Sequence, residues 1–151
     1  LNVARSMLPV NSSLPDNVGK YSKRIDTALP GKHTKTIYDQ LTSREASMLV
    51  QLRTGMSRLN DHLYRIKAAP SDRCACGQAR ETVDHFLFRC TKWVTQRKCM
   101  QDCSTTRMGN LSFFLGGKAS SDKQNWTPDM RAVRATITFA ISTGRLLANY
   151  S

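Results

Sequence analysis

Apolar residues recur at helical spacing from about Thr36 onward, and the polar residues between them punctuate the chain into short segments. Ile37, Gln40 and Leu41 make a short amphipathic piece. Thr42-Ser43-Arg44-Glu45 reads as a capping box, the Thr42 hydroxyl and Glu45 carboxylate each serving an orphan amide. The helix it opens carries Ala46, Leu49 and Leu52 on one face and stops near Gly55. Leu59, Leu63 and Ile66 predict the next helix, which Pro70 ends. Glu81 suits a helix N-terminus, and Val83, Leu87, Cys90 and Val94 form a stripe that predicts one helix to about Gln101. The burst Leu111, Phe113, Phe114, Leu115 before Gly116-Gly117 is a short helix or a strand, and residues 118–126 are a polar loop. Thr127-Pro128-Asp129 predicts a helix start with Thr127 as N-cap and Pro128 in the first position. Met130, Val133, Ile137, Ala140, Ile141 and Gly144 follow on one face. Phe139 and Leu146 fall on the other, so this helix is expected to pack on two sides.

Residues 1–35 lack such a period. Pro9, Pro15 and Pro30, with Gly19 and Gly31, predict a flexible, poorly ordered linker, with at most a turn of helix near Tyr21–Leu29. The expected fold is therefore mainly α: a linker over 1–35 and one small helical domain over 36–150. The 151 residues suffice for one modest core.

Charge adds a partner class. Lys and Arg outnumber Asp and Glu by 23 to 11, for a formal charge of +12. The excess is no tail: residues 1–75 carry 12 basic and 6 acidic side chains, residues 76–151 carry 11 and 5. A folded basic domain suits a polyanion, and nucleic acid is the commonest. No apolar run approaches the ~18 residues of a membrane span. Leu1–Val10 lacks the long apolar core of a signal peptide, and the absence of an initiator Met points to a fragment, a processed form or a piece of a polyprotein.

The strongest chemical signal is Cys74-Ala-Cys76, then eight residues, His85, four residues, and Cys90. Three thiols and one imidazole supply the four ligands of a closed tetrahedral zinc site, which is structural because no position stays open for water. Gly77 allows a sharp turn after the cysteines. On an ideal α-helix His85 and Cys90 point about 140° apart, so they converge only if the helix widens or frays near Cys90. Cys99 and Cys103 fall outside the pattern and read as core thiols, with competing ligation or a disulfide as alternatives. Five clustered cysteines favour metal over a disulfide framework and a reducing compartment, nucleus or cytosol. Asp84 either orients the His85 imidazole or is a surface acid.

Three basic stripes qualify for phosphate contact: Arg58 and Arg65 beside His62, Arg89 and Lys92 on the ligand-bearing helix, and Arg131, Arg134 and Arg145 on the last helix. Trp93, Tyr64 and Trp126 are candidate stacking residues, with core packing as the alternative. No neighbouring acidic pair forms a two-metal centre. Gly116-Gly117-Lys118 reads as a turn rather than a phosphate loop. No catalytic residue is expected within this chain.

An ordered set of motifs adds a resemblance. Leu29-Pro-Gly-Lys-His-Thr-Lys35, Gln51-Leu-Arg-Thr-Gly55, Arg65-Ile-Lys67, Cys74-Ala-Cys-Gly77, Glu81-Thr-Val-Asp-His-Phe-Leu-Phe-Arg-Cys90, Leu115-Gly-Gly-Lys118 and Ala132–Arg145 resemble the C-terminal region of fungal non-LTR (LINE-type) retrotransposon polyproteins, over roughly residues 28–147. The resemblance implies a zinc-binding tail that engages template RNA or target DNA downstream of reverse transcriptase and nuclease domains, with Cys74, Cys76, His85 and Cys90 at the family's ligand positions. The polymerase and ribonuclease H acidic residues do not appear, so no catalysis is implied here. His85-x4-Cys90 is also similar to the second half of a retroviral-type knuckle; the first half, C-x-C for C-x2-C, departs from it. The expectation is a nuclear or cytoplasmic nucleic-acid-binding accessory module, partnered by upstream domains of the same polyprotein. The alternative is a free-standing retroelement-derived protein, such as a fungal effector secreted into host cells and acting on a host protein.

Overall fold

In the computed structural model, which describes residues 20–26, 32–118 and 126–147, side chains cap the helices that follow Thr42, Asn110 and Asp129. The α-helices are α1 (Lys20–Ile25), α2 (Lys32–Asp39), α3 (Ser43–Thr54), α4 (Asn60–Arg65), α5 (Lys98–Cys103), α6 (Leu111–Phe114) and α7 (Met130–Thr143). Between α4 and α5 lie a π-turn at His85–Arg89 and a 3-10 turn at Thr91–Trp93. Among the described residues no strand forms; the nearest approach is an isolated antiparallel bridge, Arg73 with Arg80. The fold is mainly helical, as the periodicity predicts.

The capping box forms as read: Glu45 N–H donates to Thr42 Oγ1 at 3.2 Å, and Thr42 N–H donates to Glu45 Oε1 at 2.9 Å. α3 buries Met48, Leu49 and Leu52. The ambiguous burst resolves as helix, because Asn110 caps α6 by accepting from Phe113 N–H at 3.0 Å. α7 is the central strut. It packs against α3, α5 and α6, and buries Val133 and Ile137 as well as Phe139 and Ala140, so it is covered on two sides.

Three sequence expectations change. The predicted helix from Glu81 to Gln101 is broken at Cys90, whose backbone is extended (φ −64°, ψ 125°). Val94 therefore leaves the apolar stripe and is 57% exposed. Ile66 sits just past α4, followed by Lys67 with φ 62°, and turns to solvent. The last helix begins two residues later than expected: Asp129, not Thr127, is the N-cap, accepting from Ala132 N–H at 3.2 Å. Pro128 is instead buried ahead of the helix.

The stretch expected to be linker is described in part, and α1 falls where a turn of helix is expected, near Tyr21–Leu29. Residues 1–19 and 27–31 lie outside the described residues. The described parts of 1–35 are packed: α1 lies against α3 and α6, and Ile25 is 2% exposed. The Tyr21 hydroxyl donates to Leu52 O at 2.6 Å, and Ser112 Oγ donates to Ile25 O at 2.7 Å. Asp26 is a junction. Its carboxylate takes the Arg53 guanidinium, His33 Nε2 at 3.1 Å and Lys118 N–H at 2.7 Å. Arg53, buried, also donates to Leu115 O. Gly117 passes so close that an added Cβ would lie 1.9 Å from Ile25 O. The Gly116-Gly117 turn is thus the seat on which the end of α1 rests.

Candidate metal centre

The first half of the cluster is a tight hairpin. Cys74 N–H donates to Ala79 O at 2.8 Å and Glu81 N–H to Asp72 O at 2.8 Å, closing the loop across the Arg73–Arg80 bridge. Gly77, at φ 80°, donates to Cys74 O at 2.9 Å and reverses the chain. That conformation, costly for a side chain with a Cβ, brings both thiols to the same side. Backbone amides point at the sulfurs: that of Cys76 at Cys74, and those of Gln78 and Ala79 at Cys76.

The second half converges because the helix widens. Thr82 Oγ1, not Glu81, caps its start by accepting from His85 N–H at 3.1 Å. The chain then passes into the π-turn, and Cys90 N–H donates to His85 O at 2.7 Å. An i→i+5 bond returns residue 90 over residue 85, removing the 140° divergence an α-helix would impose.

The four ligand atoms of Cys74, Cys76, His85 and Cys90 all lie within 4.8 Å of one another. Cys74 Sγ is 3.6 Å from Cys90 Sγ, and Cys76 Sγ is 3.3 Å from His85 Nε2. A tetrahedral ion ~2.3 Å from sulfur and ~2.0 Å from nitrogen sets S···S near ~3.8 Å and S···N near ~3.5 Å. The observed pairs match to within a few tenths of an ångström, and the donor set can hold a metal ion. Cys74, Cys90 and His85 are buried and Cys76 is half-buried, so the ion would be enclosed.

The metal-free ligands differ in acidity. Burial pushes the Cys74 thiol up to about 12, with the neighbouring thiols adding to it. Cys76 is lowered, chiefly by the Gln78 amide. Burial lowers His85 and keeps it neutral, the form that ligates. Asp84 does not orient His85: its carboxylate takes Arg24 at 2.7 Å. Cys99 and Cys103 stay outside the cluster; Cys99 Sγ donates to Ala135 O at 3.3 Å and ties α5 to α7.

The basic candidates separate into three kinds. Arg145 is no surface residue. It forms a bidentate pair with Glu81, Nη2 to Oε1 at 2.6 Å and Nε to Oε2 at 2.9 Å, and Nη2 reaches Asn60 Oδ1 at 3.4 Å. Glu81 is 3% exposed and also accepts from Asn60 N–H at 2.8 Å. Arg145 thus fastens the end of α7 to the cluster's second half instead of facing a ligand. Arg65 and Arg134 are exposed but engaged, Arg65 with Asp61 at 3.3 Å and Arg134 with Glu45 at 3.8 Å and Gln40 O at 3.0 Å. Arg58, Arg89, Lys92 and Arg131 have no acidic partner among the described residues, and the last three are exposed. Of the aromatic candidates, Trp93 is buried edge-on against Phe86. Trp126 is half-buried against His33, and Tyr64 is exposed.

Sequence reading missed Arg97. It is buried, donating from Nε to Leu87 O at 2.7 Å and from Nη2 to Phe86 O at 3.1 Å, the carbonyls inside the π-turn. No spacing rule marks it, because its partners are main-chain atoms of a turn that the periodicity hides. No protein-family model, no curated protein and no solved structure matches the chain.

Proposed function

We propose that this chain is a zinc-organised basic module that binds nucleic acid. Four protein ligands close the centre, leaving no position for a reacting water, so the metal's role is structural. Three sulfurs and one nitrogen in a small buried site favour zinc over hard cations, which take oxygen. The observation that carries the polyanion reading is that Arg58, Arg89, Lys92 and Arg131 have no acidic partner among the described residues of a chain with formal charge +12. Arg89 and Lys92 lie on the two turns that flank Cys90, so metal binding at Cys90 would set the position of the charge. The motif resemblance supports a narrower form of this reading: the tail of a non-LTR retrotransposon reverse transcriptase polyprotein, holding template RNA or target DNA for upstream domains.

The test is a salt titration of binding by the zinc-loaded chain to single-stranded RNA and to duplex DNA. Four phosphate contacts predict a log–log slope of about −3 to −4. Absence of binding at ~50 mM salt sinks the nucleic-acid reading. Less than half an equivalent of zinc in protein purified without chelator sinks the zinc reading.

A further inference from the structure

Among the described residues two arginines are buried, and they are not alike. Arg53 has the Asp26 carboxylate. Arg97, 5% exposed, has no carboxylate: its guanidinium meets the Phe86 and Leu87 carbonyls and lies 5.6 Å from the Phe139 ring centroid. A buried cation with only neutral partners costs several kcal/mol. Its two acceptors sit between His85 and Cys90, so the missing countercharge has one candidate at hand. A divalent ion with three thiolates and a neutral imidazole carries a net charge of −1, and three of those four ligands are buried.

We propose that Arg97 is the countercharge of the metal centre, neutralising the monoanionic Cys3His site from the far side of the π-turn. The proposal uses the fixed charge of Arg97, and needs no change in its protonation. With metal bound, site and guanidinium sum to zero. Arg97 is a positioning residue acting through the ligands' charge rather than by ligation.

The inference rests on the metal-site reading, and the two fail differently. Failure of the unaltered chain to bind Zn2+ sinks that reading. Normal binding by the unaltered chain, with no sensitivity to the charge at residue 97, sinks only this inference. Zn2+ affinity is measured by chelator competition for the unaltered chain, Arg97→Lys and Arg97→Gln, with Co2+ absorption reporting the thiolate ligands. Arg97→Gln is expected to weaken Zn2+ by about 10–100-fold, and Arg97→Lys, which keeps the charge, by a few-fold. Equal weakening by both, or none by Arg97→Gln, overturns the proposal in favour of a role in holding carbonyls. Cys76→His supplies the second arm. It turns the centre into a neutral Cys2His2 site, so Arg97→Gln in that background is expected to cost less than threefold. The same penalty in both backgrounds overturns the proposal.

Discussion

Arg145→Ala separates two roles that charge alone confounds. As a surface phosphate contact, Arg145 would weaken nucleic-acid binding when removed and leave the fold intact. The structure places it against Glu81 in a bidentate pair whose side chains are 17% and 4% exposed. Truncating one partner of a buried pair costs about 3–5 kcal/mol, mostly the desolvation of the charge left behind. The Asn60 N–H still serves Glu81 at 2.8 Å, so the lower end applies, about 3 kcal/mol. That is roughly a 150-fold shift in the folding constant. At ~2–4 °C per kcal/mol for a domain of this size, the melting temperature falls by about 6–12 °C. Thermal and urea unfolding of zinc-saturated protein measure it. Glu81→Gln removes the stranded charge, so Glu81→Gln/Arg145→Ala is expected to recover at least 1 kcal/mol relative to Arg145→Ala. A melting temperature within 2 °C of the unaltered protein, together with a salt slope reduced by about one unit, would refute the structural role.

Three further outcomes follow from other parts of the fold. Gly117→Ala forces a Cβ to 1.9 Å from Ile25 O; backbone must move, and a loss above about 3 kcal/mol is expected by urea unfolding. Tyr21→Phe removes the bond to Leu52 O and costs about 1 kcal/mol near neutral pH. Burial raises the Tyr21 hydroxyl, so above pH ~10 the unfolded chain ionises first. The unaltered protein then loses stability as pH rises, and its advantage over Tyr21→Phe narrows, as unfolding at pH 8 and pH 11 will show. Cys74, at about 12 without metal, holds its proton at neutral pH, so Zn2+ binding releases at least one proton, measurable by calorimetry in buffers of different ionisation enthalpy. Affinity should fall at least tenfold per pH unit on acidification. The stability that neutral, buried His85 contributes is lost in the same direction, as pH falls through its lowered value.

What the sequence disclosed was local. Thr42 and Glu45 cap each other three residues apart, and the four ligands lie within one short stretch, so spacing alone finds them. Even the need for a widened helix follows from the His85–Cys90 interval. What it hid was long-range. Asp26 reaches Lys118 across 92 positions, and Arg145 reaches Glu81 across 64. A lone carboxylate in a Pro- and Gly-rich stretch carries no mark of such a partner. The break at Cys90 was hidden for a different reason. Val83, Leu87, Cys90 and Val94 keep perfect α-helical spacing, and the Cys90 bond to His85 O and the Arg97 bonds to Phe86 O and Leu87 O that hold the turn instead leave no trace in that spacing. Arg145 and Arg97 look like any other basic residue until the carboxylate or carbonyl opposite them is known.

The Asp26 junction also fixes an order of events. Asp26 and its most distant partner, Lys118, are 92 positions apart, and α1 rests on the Gly116-Gly117 turn. At ~5–20 residues per second, a ribosome needs roughly 5–20 s to make the intervening chain. Through that interval Ile25 has no α6 beneath it and Asp26 lacks its Lys118 amide. The metal loop, whose ligands span residues 74–90, is complete well before. Docking of the first helix is therefore expected to be a late step of folding, closing a long loop over a body already assembled.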